Sequence, residues 1–248
     1  MTVPAHHDVA LVTGAAGGLG AVISRRLARE GFRVILSDID ADALAHVTES
    51  IDGEVMALPL DVRDPTSFEQ AIEAATARWG GLGVLVNNAA LTRTTPLFEI
   101  GPDEFDAVIS IALKGTFIGC QVAGRHMRAH GYGRIVNIAS LAGQNGGAAT
   151  GAHYAAAKGG ILTLTKVFAR ELAGCGVTVN AVSPGPLDLD SVRALLPPDR
   201  LAAVVGTIPA GRLGEPDYVA RLVALLAAPE ASSVIGATMD VNGGLYLR

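Results

Sequence analysis

Aromatic residues, cysteines and positive charge are all scarce in this chain of 248 residues. Phe, Trp and Tyr make up 4% of it, two residues are Cys, and the formal net charge is -5 at pH 7. Binding of single-stranded nucleic acid needs aromatic platforms, and binding of any nucleic acid or of an anionic membrane surface needs a basic field. We therefore expect neither nucleic acid nor a membrane as a partner.

Long uninterrupted apolar runs are also missing, although half of the residues are hydrophobic. A helix needs about 18 consecutive apolar residues to cross a bilayer, and no apolar run in this chain is that long. The apolar stretch at 9–23 contains four glycines and follows two histidines and an aspartate, whereas a signal peptide begins with a basic segment. Cys120 and Cys175 have no CxxC or metal-like spacing, which predicts reduced thiols in a cytoplasmic protein. The six histidines form no HxxxH or HxH pattern with carboxylate support, so a metal site is not expected.

The chain does contain a regular alternation of short β-branched runs and amphipathic stretches. This alternation predicts an α/β fold with a parallel sheet covered by helices on both faces, in one domain over residues 1–248. Seven strands are predicted, at 9–13, 33–37, 55–60, 84–87, 134–139, 178–181 and 238–241. The two longest helices are predicted at 103–130 and 154–174, and their small residues would also suit a dimer interface. Residues 184–214 lack clear alternation and are interpreted as a mobile loop on the substrate side with some helix.

The first predicted strand leads directly into TGAAGGLG at residues 13–20, and an amphipathic helix follows. In such a motif Gly14 permits the tight turn, Gly18 lets the backbone approach a pyrophosphate, and Gly20 lets the helix pack closely on the strand. The free N–H groups of the helix N-terminus then face the phosphates. The segment predicts a dinucleotide site.

Asp38 ends the second predicted strand, 18 residues after Gly20. A carboxylate there accepts hydrogen bonds from the adenosine ribose and repels a 2'-phosphate. Neither the glycine loop nor Ile39 offers a basic side chain that would offset this repulsion. The expected cofactor is therefore NAD, and NADP is less expected.

Two further segments fit the same site. Asp61 and Val62 close the third strand, where a carboxylate could meet the adenine amino group, although an N-cap for the helix near Pro65 is the alternative for Asp61. The sequence NNAA at 87–90 closes the fourth strand and faces the crevice at the carboxyl ends of the strands. The alternative for Asn87 is a turn residue.

Ser140, Tyr154 and Lys158 form a second group of candidate residues. Tyr154 and Lys158 lie four residues apart, so on a helix they project from the same face. A free tyrosine has a pKa of about 10, and a nearby ammonium group lowers that pKa. The pair is therefore predicted to relay protons, with Ser140 holding the substrate oxygen. No GxSxG motif is present and Ser140 has no paired histidine, which disfavours a hydrolase.

In this order, the motifs resemble those of the short-chain dehydrogenase/reductase family over essentially the whole chain. They are TGAAGGLG at 13–20, Asp61, NNAA at 87–90, NIAS at 137–140, YAAAK at 154–158, NAVSPGP at 180–186, RLGEP at 212–216 and DVNGG at 240–244. The resemblance implies a seven-stranded, doubly wound Rossmann-like sheet in three αβα layers. It also implies binding of NAD or NADP and a tetramer, or a dimer, built on the helices predicted at 103–130 and 154–174.

For the site, the resemblance implies that Ser140 and Tyr154 act on a hydroxyl or carbonyl group and that Lys158 holds the nicotinamide ribose. The residues expected to bind the cofactor are Gly14, Ala16, Gly17, Gly18, Leu19, Gly20, Asp38, Ile39, Asp61, Val62, Asn88, Ala89, Ala90, Tyr154, Lys158, Pro184, Gly185 and Leu187. By family position, the substrate opening is lined by Arg93, Gln144, Asn145 and His153.

Three positions depart from the family pattern. Ala112 stands where the family usually has an Asn that is thought to hold a water for proton relay. Leu189 stands where a Thr usually contacts the nicotinamide carboxamide, and Ala90 adds only a methyl group to the usual NNAG. The first two departures put the relay and the carboxamide contact in question.

The sequence thus predicts an NAD-dependent oxidoreductase that interconverts a secondary alcohol and a ketone of a small molecule. Two alternatives are kept. One is a 3-oxoacyl thioester reductase, a kind of relative that mostly uses NADPH, against which Asp38 argues. The other is a nucleotide-binding homologue with weakened catalysis, which Ala112 and Leu189 favour.

Overall fold

The computed structural model describes residues 3–147, 150–195 and 198–247. Their strands form one seven-stranded sheet in the order β3-β2-β1-β4-β5-β6-β7, and every neighbouring pair is parallel. The strands are β1 (Val9–Thr13), β2 (Arg33–Asp38), β3 (Val55–Pro59), β4 (Val84–Asn87), β5 (Gly133–Ile138), β6 (Val177–Pro184) and β7 (Thr238–Val241). The predicted parallel α/β sheet is confirmed.

The strand order reverses between β1 and β4, which lie side by side at the centre of the sheet. Val12 of β1 is level with Leu36 of β2 on one side and with Val86 of β4 on the other. The chain therefore leaves β1 towards one edge of the sheet and returns beside it at β4. In open parallel sheets, ligands bind in the crevice outside the carboxyl ends of the strands at such a reversal.

Helices cover both faces of this sheet. They are α1 (Gly18–Arg29), α2 (Ala41–Glu49), α3 (Pro65–Trp79), α4 (Pro102–Ile109), α5 (Gly115–His130), α6 (Ala142–Asn145), α7 (Ala152–Leu172), α8 (Asp190–Leu195), α9 (Pro198–Thr207) and α10 (Pro216–Ala227). One apolar core joins α3, α5 and α7 to one face of the sheet, and a second joins α1, α2 and α10 to the other. The three αβα layers are confirmed.

The long helix predicted at 103–130 is a continuous stretch with a change of winding inside it. Helices α4 and α5 are joined by a π-helical turn, Ser110–Lys114, in which Ala112 is fully buried. By length and composition alone, Pro102–His130 could cross a membrane, and 56% of its most apolar 18-residue window, of mean hydropathy 1.5, is buried inside the protein. A core helix has the same composition, and α5 supplies Ile118 and Met127 to the core.

Other boundaries differ by a few residues from those predicted. The helix predicted at 154–174 is α7, which begins at Ala152 and passes after Leu172 into a short 3-10 turn. Strand β6 extends to Pro184, three residues beyond its predicted end. The segment at 184–214, interpreted as a loop with some helix, contains α8 and α9.

Arg134, at the amino end of β5, is 3% exposed and ties the sheet to α10. Its guanidinium donates to the main-chain carbonyls of Ala228 and Pro229, just beyond α10, and to those of Gly133 and Gly176. A buried cation is costly unless it is hydrogen-bonded, and these carbonyls provide that compensation.

Candidate active site

The glycine loop lies between β1 and α1 at the carboxyl end of the sheet, and its geometry admits only glycine at two positions. Gly14 has a φ of +66°, and a Cβ there would lie 2.8 Å from Ala89 Cα. A Cβ on Gly20 would lie 2.0 Å from the carbonyl oxygen of Gly14, closer than real atoms approach. Helix α1 therefore packs directly on the turn, as its sequence predicts, and its first turn lies at the carboxyl end of the sheet.

Asn88, which follows β4, holds this turn in place. Its side-chain amide donates to the carbonyl oxygens of Thr13 and Gly14, both at 3.0 Å. The hydroxyl of Thr13 in turn accepts the backbone N–H groups of Asn88 and Ala89. Asn88 thus joins β4 to the glycine loop across the crevice, and Ala89 and the exposed Ala90 lie beside it.

Asp38 lies at the end of β2, against the glycine loop. One carboxylate oxygen accepts the N–H of Ala16 at 3.1 Å, and the other accepts the N–H of Asp40 at 3.2 Å. Each oxygen keeps further acceptor capacity that a ribose hydroxyl can use. The next residue, Ile39, is 67% exposed and offers an apolar surface beside this carboxylate.

Asp61 lies just beyond β3 and is held by its neighbour Arg63. The guanidinium of Arg63 donates to both carboxylate oxygens, and this hydrogen bonding lowers the pKa of Asp61. The alternative interpretation of Asp61 as a helix N-cap is wrong, because Asp64 caps α3 by accepting the N–H of Thr66 at 3.0 Å. Val62 is buried beside Gly115, where a Cβ would lie 2.8 Å from it.

Asn87 is the last residue of β4 and is buried, so its interpretation as a turn residue is also wrong. Its side-chain amide donates to Asn137 Oδ1 at 2.9 Å, and Asn137 donates to Thr165 Oγ1 at 3.0 Å. These buried amides link β4, β5 and α7 beneath the crevice.

The end of β6 lies two strands beyond β4 on the same edge of the sheet. Pro184 is its last residue, and Gly185 lies so close to Asn242 that a Cβ there would be 2.9 Å from Asn242 Cα. Leu187 is buried and pairs with Gly214 in an isolated β-bridge. Leu189 packs partly against the apolar core of the α1, α2 and α10 layer, which agrees with an apolar residue in place of the usual Thr.

The structure brings Ser140, Tyr154 and Lys158 together at the carboxyl end of β5. The Tyr154 hydroxyl lies near the side chains of Ser140 and Thr92, and hydrogen bonding to them acts to lower its pKa. Lys158, one helical turn further along α7, is 2% exposed, and its Nζ lies 5.6 Å from the centre of the Tyr154 ring. Its ammonium group donates to the carbonyl oxygen of Ile138 at 2.6 Å. Thr92 was not predicted for this site, because a Thr in a loop carries no distinctive sequence signal.

The predicted low pKa of Tyr154 is wrong for this structure. Burial raises the pKa of the phenol, and the hydrogen bonds to Ser140 and Thr92 offset this rise only in part. Burial also lowers the pKa of Lys158 to about 8, because its ammonium group has lost its hydration. Sequence spacing places the two groups on one helix face, but it does not reveal how deeply they are buried.

The residues expected to line the substrate opening have different surroundings from one another. Arg93 and Asn145 are exposed, as the expectation requires. Gln144 instead bridges two elements, because its amide donates to Asp240 Oδ1 at 2.6 Å and its oxygen accepts the hydroxyl of Ser183 at 3.1 Å. His153 is fully buried, so its predicted place in the lining is wrong.

Replacing Lys158 with Met is expected to stabilise the fold at neutral pH while it removes a candidate catalytic group. The lowering of the Lys158 pKa from 10.5 to about 8 corresponds to a burial cost of about 3 kcal/mol. Loss of the hydrogen bond to Ile138 lowers the free energy of unfolding by about 1 kcal/mol, so the net gain is about 2 kcal/mol.

The pH dependence of that gain has a definite sign. Between about pH 8 and 10.5 the unfolded chain binds the Lys158 proton more than the folded chain does, so wild-type stability rises with pH there. The advantage of Lys158→Met should therefore shrink across this range in denaturant titrations. Lys166→Met, on an exposed position of the same helix, is the control and should show no such gain. Equal stability of Lys158→Met and wild type at pH 7 would contradict the burial cost.

A parallel sheet with a dinucleotide loop at its reversal point, and a Ser, Tyr and Lys group beside it, is typical of a nicotinamide-dependent oxidoreductase. Comparison with known proteins agrees, since the family model described as enoyl-(acyl carrier protein) reductase matches residues 14–246. The chain belongs to the short-chain dehydrogenase/reductase family. It is therefore an oxidoreductase of a family that uses a nicotinamide cofactor.

Curated relatives match over nearly their full length. The 3-oxoacyl-(acyl-carrier-protein) reductase FabG of Vibrio cholerae is 39% identical over 239 residues, which cover 96% of this chain and 97% of the relative. FabG of Escherichia coli is 38% identical over 241 residues, with 96% and 97% covered. The acetoacetyl-CoA reductase of Shinella zoogloeoides is 39% identical over 240 residues, with 96% and 98% covered.

Proposed function

We propose that this protein interconverts a ketone and a secondary alcohol of a small molecule by hydride transfer with NAD(H). The observation that carries the proposal is the position of the Tyr154 hydroxyl, which is held by Ser140 and Thr92 and lies one helical turn from Lys158. Ser140 follows β5 as the glycine loop follows β1, so both lie at the carboxyl end of the same sheet. The residues around the crevice fit a dinucleotide, because the tight turn at Gly14 and Gly20 has no side chain of its own, and the Asp38 carboxylate keeps acceptor capacity beyond its bonds to Ala16 and Asp40.

In this mechanism each side chain has a defined task. When bound, the nicotinamide ring supplies the hydride for reduction or accepts it for oxidation. Ser140 donates a hydrogen bond that orients the substrate oxygen, and Tyr154 gives its phenolic proton to that oxygen during reduction. The Lys158 ammonium, near the Tyr154 ring, stabilises the phenolate that remains.

The raised pKa of Tyr154 fits its task as the proton donor of the reduction step. A phenol whose pKa is above its ordinary value keeps its proton at neutral pH and is therefore ready to act as an acid.

A 3-oxoacyl thioester is the second candidate substrate. It is favoured by the relatives named as 3-oxoacyl-(acyl-carrier-protein) reductase and acetoacetyl-CoA reductase, which are 38 to 39% identical to this chain. Both names describe reduction of a ketone, the same reaction class as the one proposed here. The two candidates differ in the group attached to the ketone and in the expected cofactor.

The experiment that tests the function follows oxidation of NADH and of NADPH with acetoacetyl-CoA and with a panel of simple ketones. Turnover of simple ketones with NADH supports the first candidate, and turnover restricted to the thioester supports the second. NADH binding without turnover of any substrate would contradict both and would favour a nucleotide-binding homologue with weakened catalysis. In that event Ala112→Asn tests whether the departure at this buried position is the reason.

Asp38→Ala is expected to shift cofactor preference towards NADP. Two like charges about 4 Å apart repel by about 4 kcal/mol near a protein surface, so removing the carboxylate should raise the ratio of kcat/KM for NADPH over NADH by at least about tenfold. Asp38→Arg, which adds a partner for the 2'-phosphate, should raise it further. Asp42→Ala, on an exposed position of α2, is the control. An unchanged ratio in both Asp38 variants would contradict the ribose assignment.

We further propose a homotetramer, or a dimer, built on α4, α5 and α7, and a cytoplasmic location. Apolar side chains on these helices face solvent, with Phe105 42%, Phe117 40% and Val167 55% exposed. Burial of such a surface between subunits would be favourable. Light scattering of the purified chain tests this assembly, and a monomer would contradict it. The free thiols of Cys120 and Cys175 are compatible with a reducing compartment.

A further inference from the structure

His153 is fully buried where α7 begins, and both nitrogens of its ring have partners. Nδ1 accepts the backbone N–H of Tyr154 at 2.9 Å, and Nε2 lies 2.8 Å from Glu104 Oε1 on α4. Because Nδ1 accepts a hydrogen bond, the proton of the neutral imidazole is on Nε2, which donates it to the Glu104 carboxylate. The ring therefore connects Glu104 to the backbone of Tyr154.

Close packing fixes the plane of this ring. A Cβ on Gly151, the N-cap of α7, would lie 2.3 Å from His153 Cε1, so only glycine leaves room for the imidazole. Phe105 lies on another side, with ring centres 6.5 Å apart and planes inclined by 32°. The N–H of Gly151 donates to the carbonyl oxygen of Arg93 at 2.9 Å, which attaches this end of α7 to the loop after β4.

Glu104 is itself held in place and remains an anionic acceptor. Hydrogen bonds from the side chains of Thr95 and His153 lower the pKa of the Glu104 carboxyl, and the charge of Arg93 adds to this effect. A charged acceptor makes a stronger and more directional hydrogen bond than a neutral one. The hydrogen bond between Glu104 and His153 therefore connects α4 to α7 in a fixed geometry.

We propose that Glu104 and His153 form a positioning pair that fixes the first turn of α7 and thereby holds the Tyr154 hydroxyl against Ser140 and Thr92. The first N–H groups of a helix lack partners within the helix, and His153 supplies one to the N–H of the very residue that carries the phenol. Neither residue of the pair touches the substrate in this assignment. The effect of this pair on catalysis rests on the proposed function.

Four variants separate the two bonds of the pair. His153→Asn keeps an acceptor for the Tyr154 N–H, because Asn Oδ1 takes the place of Nδ1, but it does not reach Glu104. Glu104→Ala breaks the same contact from the other side, and Glu104→Gln retains a neutral acceptor as the conservative rescue. His153→Leu removes both bonds.

Misplacement of a catalytic group by about 1 Å costs about 100-fold in rate, so we expect kcat to fall by about 100-fold in His153→Leu. His153→Asn and Glu104→Ala should lose about tenfold each, and Glu104→Gln should recover most of that loss. The KM for NADH should change less than about twofold throughout, because the glycine loop and Asp38 are not affected. The double variant Glu104→Ala with His153→Leu should be no slower than His153→Leu alone, since both changes break one unit.

A second readout follows Tyr154 itself and needs no turnover. The tyrosinate absorbance of each protein is titrated against pH, and the same titration of a version that also carries Tyr154→Phe is subtracted. In the wild type the Tyr154 pKa lies above its ordinary value. When the pair is broken and the ring is free to reach solvent, the Tyr154 pKa should fall towards about 10. Glu171→Ala is the matched control, because it breaks an exposed ion pair between α7 and Arg128 of α5, far along the helix.

The outcomes separate the two proposals. A lower kcat with a shifted Tyr154 titration in His153→Leu, and neither effect in Glu171→Ala, supports the positioning pair. Normal kcat and normal titration in a folded His153→Leu protein overturn it, as does a rate loss explained entirely by a lower melting temperature and smaller folded fraction. If the wild type reduces none of the substrates, the proposed function fails, and the titration alone decides whether the pair positions Tyr154.

Discussion

Tyr154→Phe is expected to reduce kcat for ketone reduction by about 1000-fold, within the range that a positioned general acid contributes. The variant keeps the ring and removes only the hydroxyl that shares hydrogen bonds with Ser140 and Thr92. Without that hydroxyl, the oxygen of the reduced substrate has no adjacent acid, so the barrier rises while the glycine loop remains intact. Stopped-flow and steady-state measurements of NADH oxidation give the rate.

Two comparisons make this result specific. NADH affinity, measured by cofactor fluorescence, should change less than about fivefold, because a single neutral hydrogen bond contributes about 1 kcal/mol to such a site. Tyr218→Phe changes a tyrosine on α10 that is 52% exposed, and it should leave kcat unaltered. Turnover of Tyr154→Phe within tenfold of wild type would remove Tyr154 from its assigned role.

Gly20→Ala is expected to abolish measurable NADH binding, with a loss of affinity of at least about 100-fold. The added Cβ would lie 2.0 Å from the carbonyl oxygen of Gly14 and 2.7 Å from the side-chain nitrogen of Asn88. Neither can move freely, because Gly14 is backbone and Asn88 is hydrogen-bonded to the turn. Helix α1 must shift away from the turn, and overpacking of this kind costs about 1 to 3 kcal/mol of stability in addition.

The same loop provides the control. Gly17 has an extended backbone with φ of -179°, and a Cβ there would have nothing within 4 Å. Gly17→Ala should therefore unfold at the wild-type temperature, and any loss of NADH affinity in it reports contact with the cofactor rather than damage to the turn. If calorimetric melting and NADH titration of Gly20→Ala both match the wild type, the close packing of α1 on the turn is wrong.

The sheet could be predicted closely because its strands carry their own signal. Buried β-branched runs predict β1 and β4 to the residue, and β2 within one residue of its end. The end of β6 was missed because it includes Pro184, and proline normally argues against a strand. The π-helical turn at Ser110–Lys114 was missed because its apolar spacing hardly differs from that of an α-helix.

For the candidate site, the sequence predicted where residues lie along the fold better than how they are surrounded. Gly14, Gly20 and Asp38 lie as their motif predicts, because the motif encodes backbone geometry. The protonation of Tyr154 was predicted in the wrong direction, because it depends on burial, which a spacing of four residues does not encode. The hydrogen bond between His153 and Glu104 joins residues that are 49 apart in the sequence, so no local sequence pattern predicts it.

The hydrogen bonds of Arg134, which connect the sheet to the end of α10, are insensitive to acid. The first turn of α10 is joined to α1 by an ion pair between Asp217 and Arg26. This contact lowers the pKa of the Asp217 carboxyl. The stabilisation of the fold by this ion pair is complete above the ordinary Asp pKa of about 3.8, and it is lost as the carboxylate gains its proton at lower pH. The carbonyl partners of Arg134 do not titrate, and the guanidinium stays charged. Acid therefore removes the ion pair between α1 and the first turn of α10, while the apolar packing of α1 on α10 and the attachment of α10 to β5 remain.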